Sequence, residues 1–196
     1  MRTRTGDKRR DILQAATKIF AKDGYERAKI STIATEASVA TGSVYLYFKG
    51  KEDILDAIFS GFWENLLHGM ETLPAQSPME RMESQLGLFF DRMAENLPMA
   101  SIYLRDHHRF VSRKPEGFGH YQACLEMGKR AFRDATSLAM EDELLQLTHV
   151  QLFGGVRAAL EVALYESPLD KTRIRAHMLS MAMGSIAVLI EENPCA

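Results

Sequence analysis

Apolar residues recur at spacings of three and four along nearly the whole chain, and no stretch alternates apolar with polar at period two. The pattern predicts an all-α protein of about nine helices. The first is expected from about Lys8 to Asp23, with Ile12, Ala16, Ile19 and Phe20 on one face and Gly24 as a left-handed stop. Two short helices should follow, roughly Lys29 to Ala37 and Thr41 to Phe48, joined by the tight connection Ser38-Val39-Ala40. A long helix opens near Lys51 with the stripe Ile54, Leu55, Ile58, Phe59, Phe62 and Leu66. After the loop Leu73-Pro74-Ala75-Gln76, the run Ser77-Pro78-Met79-Glu80 reads as a helix start. Serine caps, proline takes the first helical position, and glutamate returns to the amide of the cap. Further helices are expected over about 78–97, 99–111, 120–138, 143–165 and 170–192, the last two separated by Ser167-Pro168.

Composition narrows the classes without choosing among them. Of 196 residues, 46% are hydrophobic and 26% charged, enough for a packed core and against global disorder. No contiguous apolar run approaches the ~18 residues of a bilayer span, so no membrane association is expected. A secretory signal is not expected either. Cys124 and Cys195 belong to no CxxC or Cys/His ligand pattern, which predicts reduced thiols in a cytoplasmic protein. The net charge of −2 conceals an uneven distribution. Residues 1–51 hold 11 Lys and Arg against 5 Asp and Glu, a balance of +6, so the remainder carries −8. A basic N-terminal quarter suits a phosphate-binding head, but a solvated basic helix has the same charge.

Enzyme chemistry finds no foothold. There is no GxSxG, no glycine-rich phosphate loop, no HExxH and no Glu-x-x-His pair, so neither catalysis nor a cofactor is expected. His107 and His108 are adjacent, which places them about 100° apart around a helix and argues against a shared metal.

The stretch from Ile33 to Phe48 decides more. Ile33, Ala34, Ala37, Val39 and Val44 form the small-and-aliphatic pattern that lets two short helices cross closely through a short turn. The second helix then turns Thr41, Ser43, Leu46 and Tyr47 away from that contact, where such a helix can enter a major groove. Tyr45 and Lys51 are placed to reach flanking phosphates. A plain helical hairpin with a tyrosine-rich core is the competing reading.

These residues resemble the TetR/AcrR repressors. The resemblance is carried by Phe20, Gly24-Tyr25, Ile33-Ala34, Ala37, Val39, Gly42, Tyr45, Tyr47-Phe48, Lys51 and Leu55, over about the first 60 residues. The run from Gly42 to Leu55 looks close to that of fatty-acid-responsive members. Two positions depart from the pattern. Ala28 stands where a capping Ser or Thr is usual, a loss of about 1 kcal/mol, and Lys29 or Ser31 is expected to take over its phosphate contact. Ser38 stands at a turn position usually held by glycine, where a left-handed backbone is mildly strained.

The resemblance implies a DNA-binding domain over residues 1–50 and an effector-binding and dimerisation domain over 51–196, with 51–70 as linking helix. It implies a homodimer that grips a pseudo-palindromic operator in double-stranded DNA and releases it when a small hydrophobic effector binds, acyl-type ligands being one candidate. The expected DNA-contacting set is Lys29, Ser31, Thr41, Gly42, Ser43, Tyr45, Leu46, Tyr47 and Lys51. The effector cavity is expected among Phe89, Phe90, Met93, Tyr103, His107, Phe110, Met127, Phe153 and Arg157, although Glu161 is positioned to pair with that arginine. The last two long helices are expected to form the dimer interface through Val156, Ala159, Ala163, Met178, Met181, Ser185 and Leu189. Gly154, Gly155 and Gly184 interrupt those helices, each at a cost of about 1 kcal/mol relative to alanine. A close helix approach, across the interface or inside one subunit, would compensate. A helical adaptor that binds protein rather than DNA is the alternative of a different class.

Overall fold

The computed structural model describes residues 5–74, 77–137, 142–166 and 170–192. Predicted features at Ala75-Gln76, Leu138, Ser167-Pro168 and Cys195 lie outside the described residues. Regular structure among the described residues is helical: α1 (Thr5–Asp23), α2 (Ile30–Glu36), α3 (Thr41–Val44), α4 (Lys51–Glu71), α5 (Pro78–Glu95), α6 (Leu97–Arg113), α7 (Phe118–Thr136), α8 (Asp142–Glu161) and α9 (Lys171–Glu192). A π-helical turn, Val162–Glu166, continues α8. The chain divides into two compact units, Met1–Glu64 with Leu97–Gly119 and Asn65–Asn96 with His120–Ala196, the boundaries falling inside α4, between α5 and α6, and near the start of α7.

In the first unit, Ile12, Ala16 and Phe20 of α1 are buried, as are Ile33 and Ala34 of α2, Val44 of α3, and Ile54, Leu55 and Phe59 of α4. Gly24 ends α1 at φ +81°, its N–H donating to the Phe20 carbonyl at 3.0 Å. Ser38 does take the left-handed turn, at φ 56°. The cap of α2 is one residue later than expected. Lys29 occupies it without a side-chain bond, while Ala28 is buried. That burial supplies a reason for a small apolar residue at position 28. The recognition helix is also shorter than expected, since α3 closes at Val44 and Tyr45–Tyr47 continue as turn.

The buried stripe of α4 keeps Ile54, Leu55, Phe59 and Leu66 of the expected one and differs from it at the remaining positions. Phe59, Trp63, Leu66 and Met70 are buried, whereas Ile58 and Phe62 are half-buried. Arg105, Arg109 and Arg113, spaced by four, share a face of α6. Arg105 donates to the carbonyls of Phe20 and Ala21 at 2.6 and 2.9 Å, a second donor for the Phe20 oxygen that already accepts from Gly24 and a partner for the Ala21 oxygen at the end of α1. Arg109 pairs with Glu26 and Arg113 with Asp56. Beyond α6, a Cβ at Gly117 would overlap the Ser60 hydroxyl, so only glycine permits that approach to α4.

In the second unit, α5 starts as expected. The Ser77 N–H donates to Glu80 Oε2 at 3.0 Å and the Glu80 N–H to Ser77 Oγ at 3.3 Å. The Ser77 hydroxyl, donating to Glu80 Oε2 at 2.7 Å, and behind it the Ser77 N–H hold the Glu80 carboxyl below its ordinary pKa. Met82, Leu86, Phe89, Phe90 and Met93 form the inner face of α5, and Ala131, Phe132, Leu145 and Ile186 join the core from α7, α8 and α9. Arg175 crosses Gly87, where a Cβ would collide with its guanidinium, to reach Asp91 at 2.7 Å. The expectation of no membrane-length helix needs correcting on one point. Averaged over a window rather than read as a contiguous run, Lys171–Glu191 has mean hydropathy 1.3 and passes by length and composition, yet only 22% of it is buried.

Candidate nucleic-acid interface

The helix-turn-helix is built from contacts that leave one edge open. The Val39 N–H donates to the Ala34 carbonyl at 2.9 Å and the Ser38 N–H to Thr35 at 3.1 Å, closing the turn. Val44 is pulled fully inward. The residues around it are thereby turned out: Tyr45 is 57% exposed and Leu46 81%. Thr41, Gly42, Lys29 and Ser31 are exposed as well, while Ser43 and Tyr47 are half-buried. An apolar residue as open as Leu46 is out of place on a basic head unless something covers it. A Cβ at Gly42 would meet nothing, so internal packing does not demand glycine there.

Lys51 has a fuller set of partners than the sequence indicated. Its ammonium donates to the carbonyls of Tyr25 and Glu26, each at 3.0 Å, and stands 4.5 Å from the centre of the Tyr25 ring. Arg109 lies 5.0 Å from the same ring. Burial, then the charge of Glu52, pushes the Tyr25 hydroxyl up to about 12, so it remains a neutral donor. An ammonium has three hydrogens, and the two carbonyls engage two of them. Tyr25, Glu26 and Arg109 escaped the sequence reading of the site, although the Gly24-Tyr25 pair was a signal for the first.

The expected effector residues fall into two groups. In the first unit, Tyr103, His107 and Phe110 belong to an aromatic cluster with Phe59, Trp63 and Phe118. Tyr103 and His107 are 4.7 Å apart, Trp63 and His107 5.5 Å, and Phe110 and Phe118 5.9 Å. Trp63 and Phe118 were missed because a single aromatic in a helical pattern carries no mark of its neighbours. In the second unit, Phe89, Phe90 and Met93 are buried and Phe89 tilts against the half-buried Phe153 at 5.4 Å. Met127 is half-buried, and Arg157 and Glu161 are both exposed on α8. Among the described residues no cluster of three or more His, Cys, Asp or Glu is arranged to hold a metal.

Between α8 and α9 runs a groove of about 700 Å³, lined by Ala159, Met178, Met181, Ser185 and Leu189 of the expected dimer set, and by Gly155, Ala158 and Ala182. Val156 must be withdrawn from that set, because it is fully buried inside its own subunit. Ala163 lies in the π-helical turn, outside the groove lining. A Cβ at Gly154, Gly155 or Gly184 would meet nothing, so close packing within the subunit does not account for these glycines. Leu147, Val150, Met181 and Val188 are each more than half exposed on the same two helices.

A short helix crossed through a tight turn, held on a basic head with an exposed edge, defines a helix-turn-helix DNA-binding protein. Residues 12–58 match the bacterial regulatory proteins of the tetR family. The chain is 43% identical over 60 residues to the fatty acid metabolism regulator protein of Bacillus subtilis, a match covering 31% of each protein. It is 28% identical over 152 residues to an uncharacterised helix-turn-helix regulator of the same organism, YhgD, covering 78% of this chain and 71% of that protein. The crystal structure of the transcriptional regulator FadR from Bacillus subtilis in complex with stearoyl-CoA superimposes with a TM-score of 0.76 at 20% identity, over 89% of this chain and 97% of that one. Residues 12–58 thus carry the DNA-binding segment of the tetR family of bacterial regulatory proteins, and the chain has the fold of a TetR-type regulator.

Proposed function

We propose that the protein is a cytoplasmic homodimeric repressor that reads an inverted-repeat operator and lets go of it when an apolar, acyl-type ligand enters the second unit. Residues 1–50 serve as the DNA-binding domain and 51–196 as the effector and dimer domain, with 51–70 linking them. Thr41, Gly42, Ser43, Leu46 and Tyr47 face the major groove, and Lys29, Ser31, Tyr45 and Lys51 hold phosphates. The exposure of Tyr45 and Leu46 beside a buried Val44 carries this reading. Leu46 suits the methyl group of a thymine, and the open space at Gly42 suits close approach of a DNA strand.

A second copy is the occupant we assign to the groove between α8 and α9. The lining is mostly apolar, with Thr148, Gln151, Arg173, His177 and Ser185 as its polar points, α9 is mostly uncovered, and the glycines face outward, as suits a four-helix interface between two subunits. For the effector, the buried Phe89, Phe90 and Met93 with Phe153 supply the apolar walls. A regulator of the same fold was crystallised with stearoyl-CoA.

Selection of bound DNA from a random pool, followed by mobility shift with and without stearoyl-CoA, tests the proposal. A two-fold symmetric site released by the thioester is expected. A single asymmetric site held by a monomer would overturn the dimeric reading, and ligand affinity unchanged by saturating operator would overturn the coupling.

A further inference from the structure

Gln85 is the anomaly of the second unit. It sits at the centre of α5 among Met82, Leu86 and Phe89, 3% exposed, and its Oε1 accepts no hydrogen bond among the described residues. A buried acceptor without a donor costs free energy, and the cost disappears if any apolar side chain of similar length stands there. The side chain lines a narrow cavity with Met82, Leu86, Gly128, Leu152 and Phe153, whose free volume of about 10 Å³ holds at most one water. The other five lining residues bring no polar side chain. The cavity is therefore apolar with a single polar point, the composition of a ligand site rather than of a solvent pocket. Its walls include a methionine, which repacks readily, and the half-buried Phe153.

We propose that Gln85 is the recognition point of the effector site, its carboxamide oxygen taking a hydrogen bond from an N–H or O–H borne by an otherwise apolar ligand. This rests on the proposed effector role of the second unit. A ligand that supplies the donor satisfies an acceptor left unpaired in the empty protein, so part of its affinity comes from relieving that defect. The amides of an acyl-CoA thioester and the hydroxyl of a hydroxy fatty acid both carry such a donor. A plain fatty acid at neutral pH is a carboxylate, which accepts hydrogen bonds only and brings the carboxamide oxygen no donor.

The test compares the full-length protein with Gln85→Met and Gln85→Leu, using stearoyl-CoA, a hydroxystearate and stearate as probes in calorimetry, with thermal melts of the ligand-free proteins. The expected result is a ligand-free melting temperature that is unchanged or raised in both variants. Affinity for stearoyl-CoA or the hydroxystearate should fall about tenfold or more, with any affinity for stearate unchanged. Which of the two donor-bearing probes responds identifies the source of the donor. A lowered melting temperature in both variants would show that the amide is a structural bond and would overturn the proposal. Equal binding of every probe to wild type and variants would overturn it while leaving the effector role intact. No binding of any probe to the wild type would overturn that role and this inference together.

Discussion

The ammonium of Lys51 lies 4.5 Å from the ring centre of Tyr25 and also donates to the carbonyl oxygen of that same residue at 3.0 Å. One side chain thus fastens the start of α4 to the turn that ends α1. Lys51→Ala should lower stability by about 1–2 kcal/mol after allowance for its partial exposure. It should also weaken binding to every DNA sequence and reduce the salt dependence by about one counterion per subunit. Denaturant melts and binding at several salt concentrations check both. A stability loss with an unchanged salt slope would confine Lys51 to the fold.

Ser43 is half-buried on α3, next to the exposed Gly42, and in the proposed DNA complex its hydroxyl has a base to read. Ser43→Ala should alter the preferred base at one position in each half-site, a discrimination of about 1–3 kcal/mol. Selection from a random pool with both proteins measures it. Uniform weakening with unchanged preference would remove Ser43 from base recognition.

Gly155 separates two effects that usually travel together. Alanine there meets no atom of its own subunit, so the isolated helix gains about 1 kcal/mol. In a dimer closed across this groove the added methyl meets the partner. Gly155→Ala should therefore shift the monomer–dimer equilibrium toward monomer in sedimentation experiments while leaving helical content intact.

Cys124 predicts an alkaline instability. Burial, with the charge of Glu71 behind it, pushes the thiol up from 9.0 to about 12. The unfolded chain gives up this proton first as pH rises, so the stabilising contribution is complete below 9.0 and is lost as pH climbs toward about 12. The difference in denaturant stability between wild type and Cys124→Ala should consequently narrow across that window. For the same reason the native thiol should resist alkylation at neutral pH in a Cys195→Ser background.

Local chemistry is what the sequence disclosed well. The stop at Gly24, the capping box of Ser77 and Glu80, and the inward turn of Val44 each depend on residues within a few positions. What it hid depends on distance. The bond from Arg105 to Phe20 joins residues 85 apart, and no helical period reports such a pairing. Trp63 went unnoticed because the apolar stripe of α4 is broad enough to be drawn one residue to either side. Val156 was misplaced for the same reason, an aliphatic residue fitting an inner and an outer face equally until a neighbour decides.

Two of the cations that bind the head to α4 and α6 grip main-chain oxygens: Arg105 those of Phe20 and Ala21, Lys51 those of Tyr25 and Glu26. Every amino acid carries that oxygen. Those four bonds are therefore indifferent to most changes in the residues they hold, whereas Arg109 depends on the Glu26 carboxylate and the Tyr25 ring, and Tyr45 and Leu46 are exposed. Descendants of such a chain are free to acquire new operators by mutation at the exposed edge without disturbing those main-chain bonds.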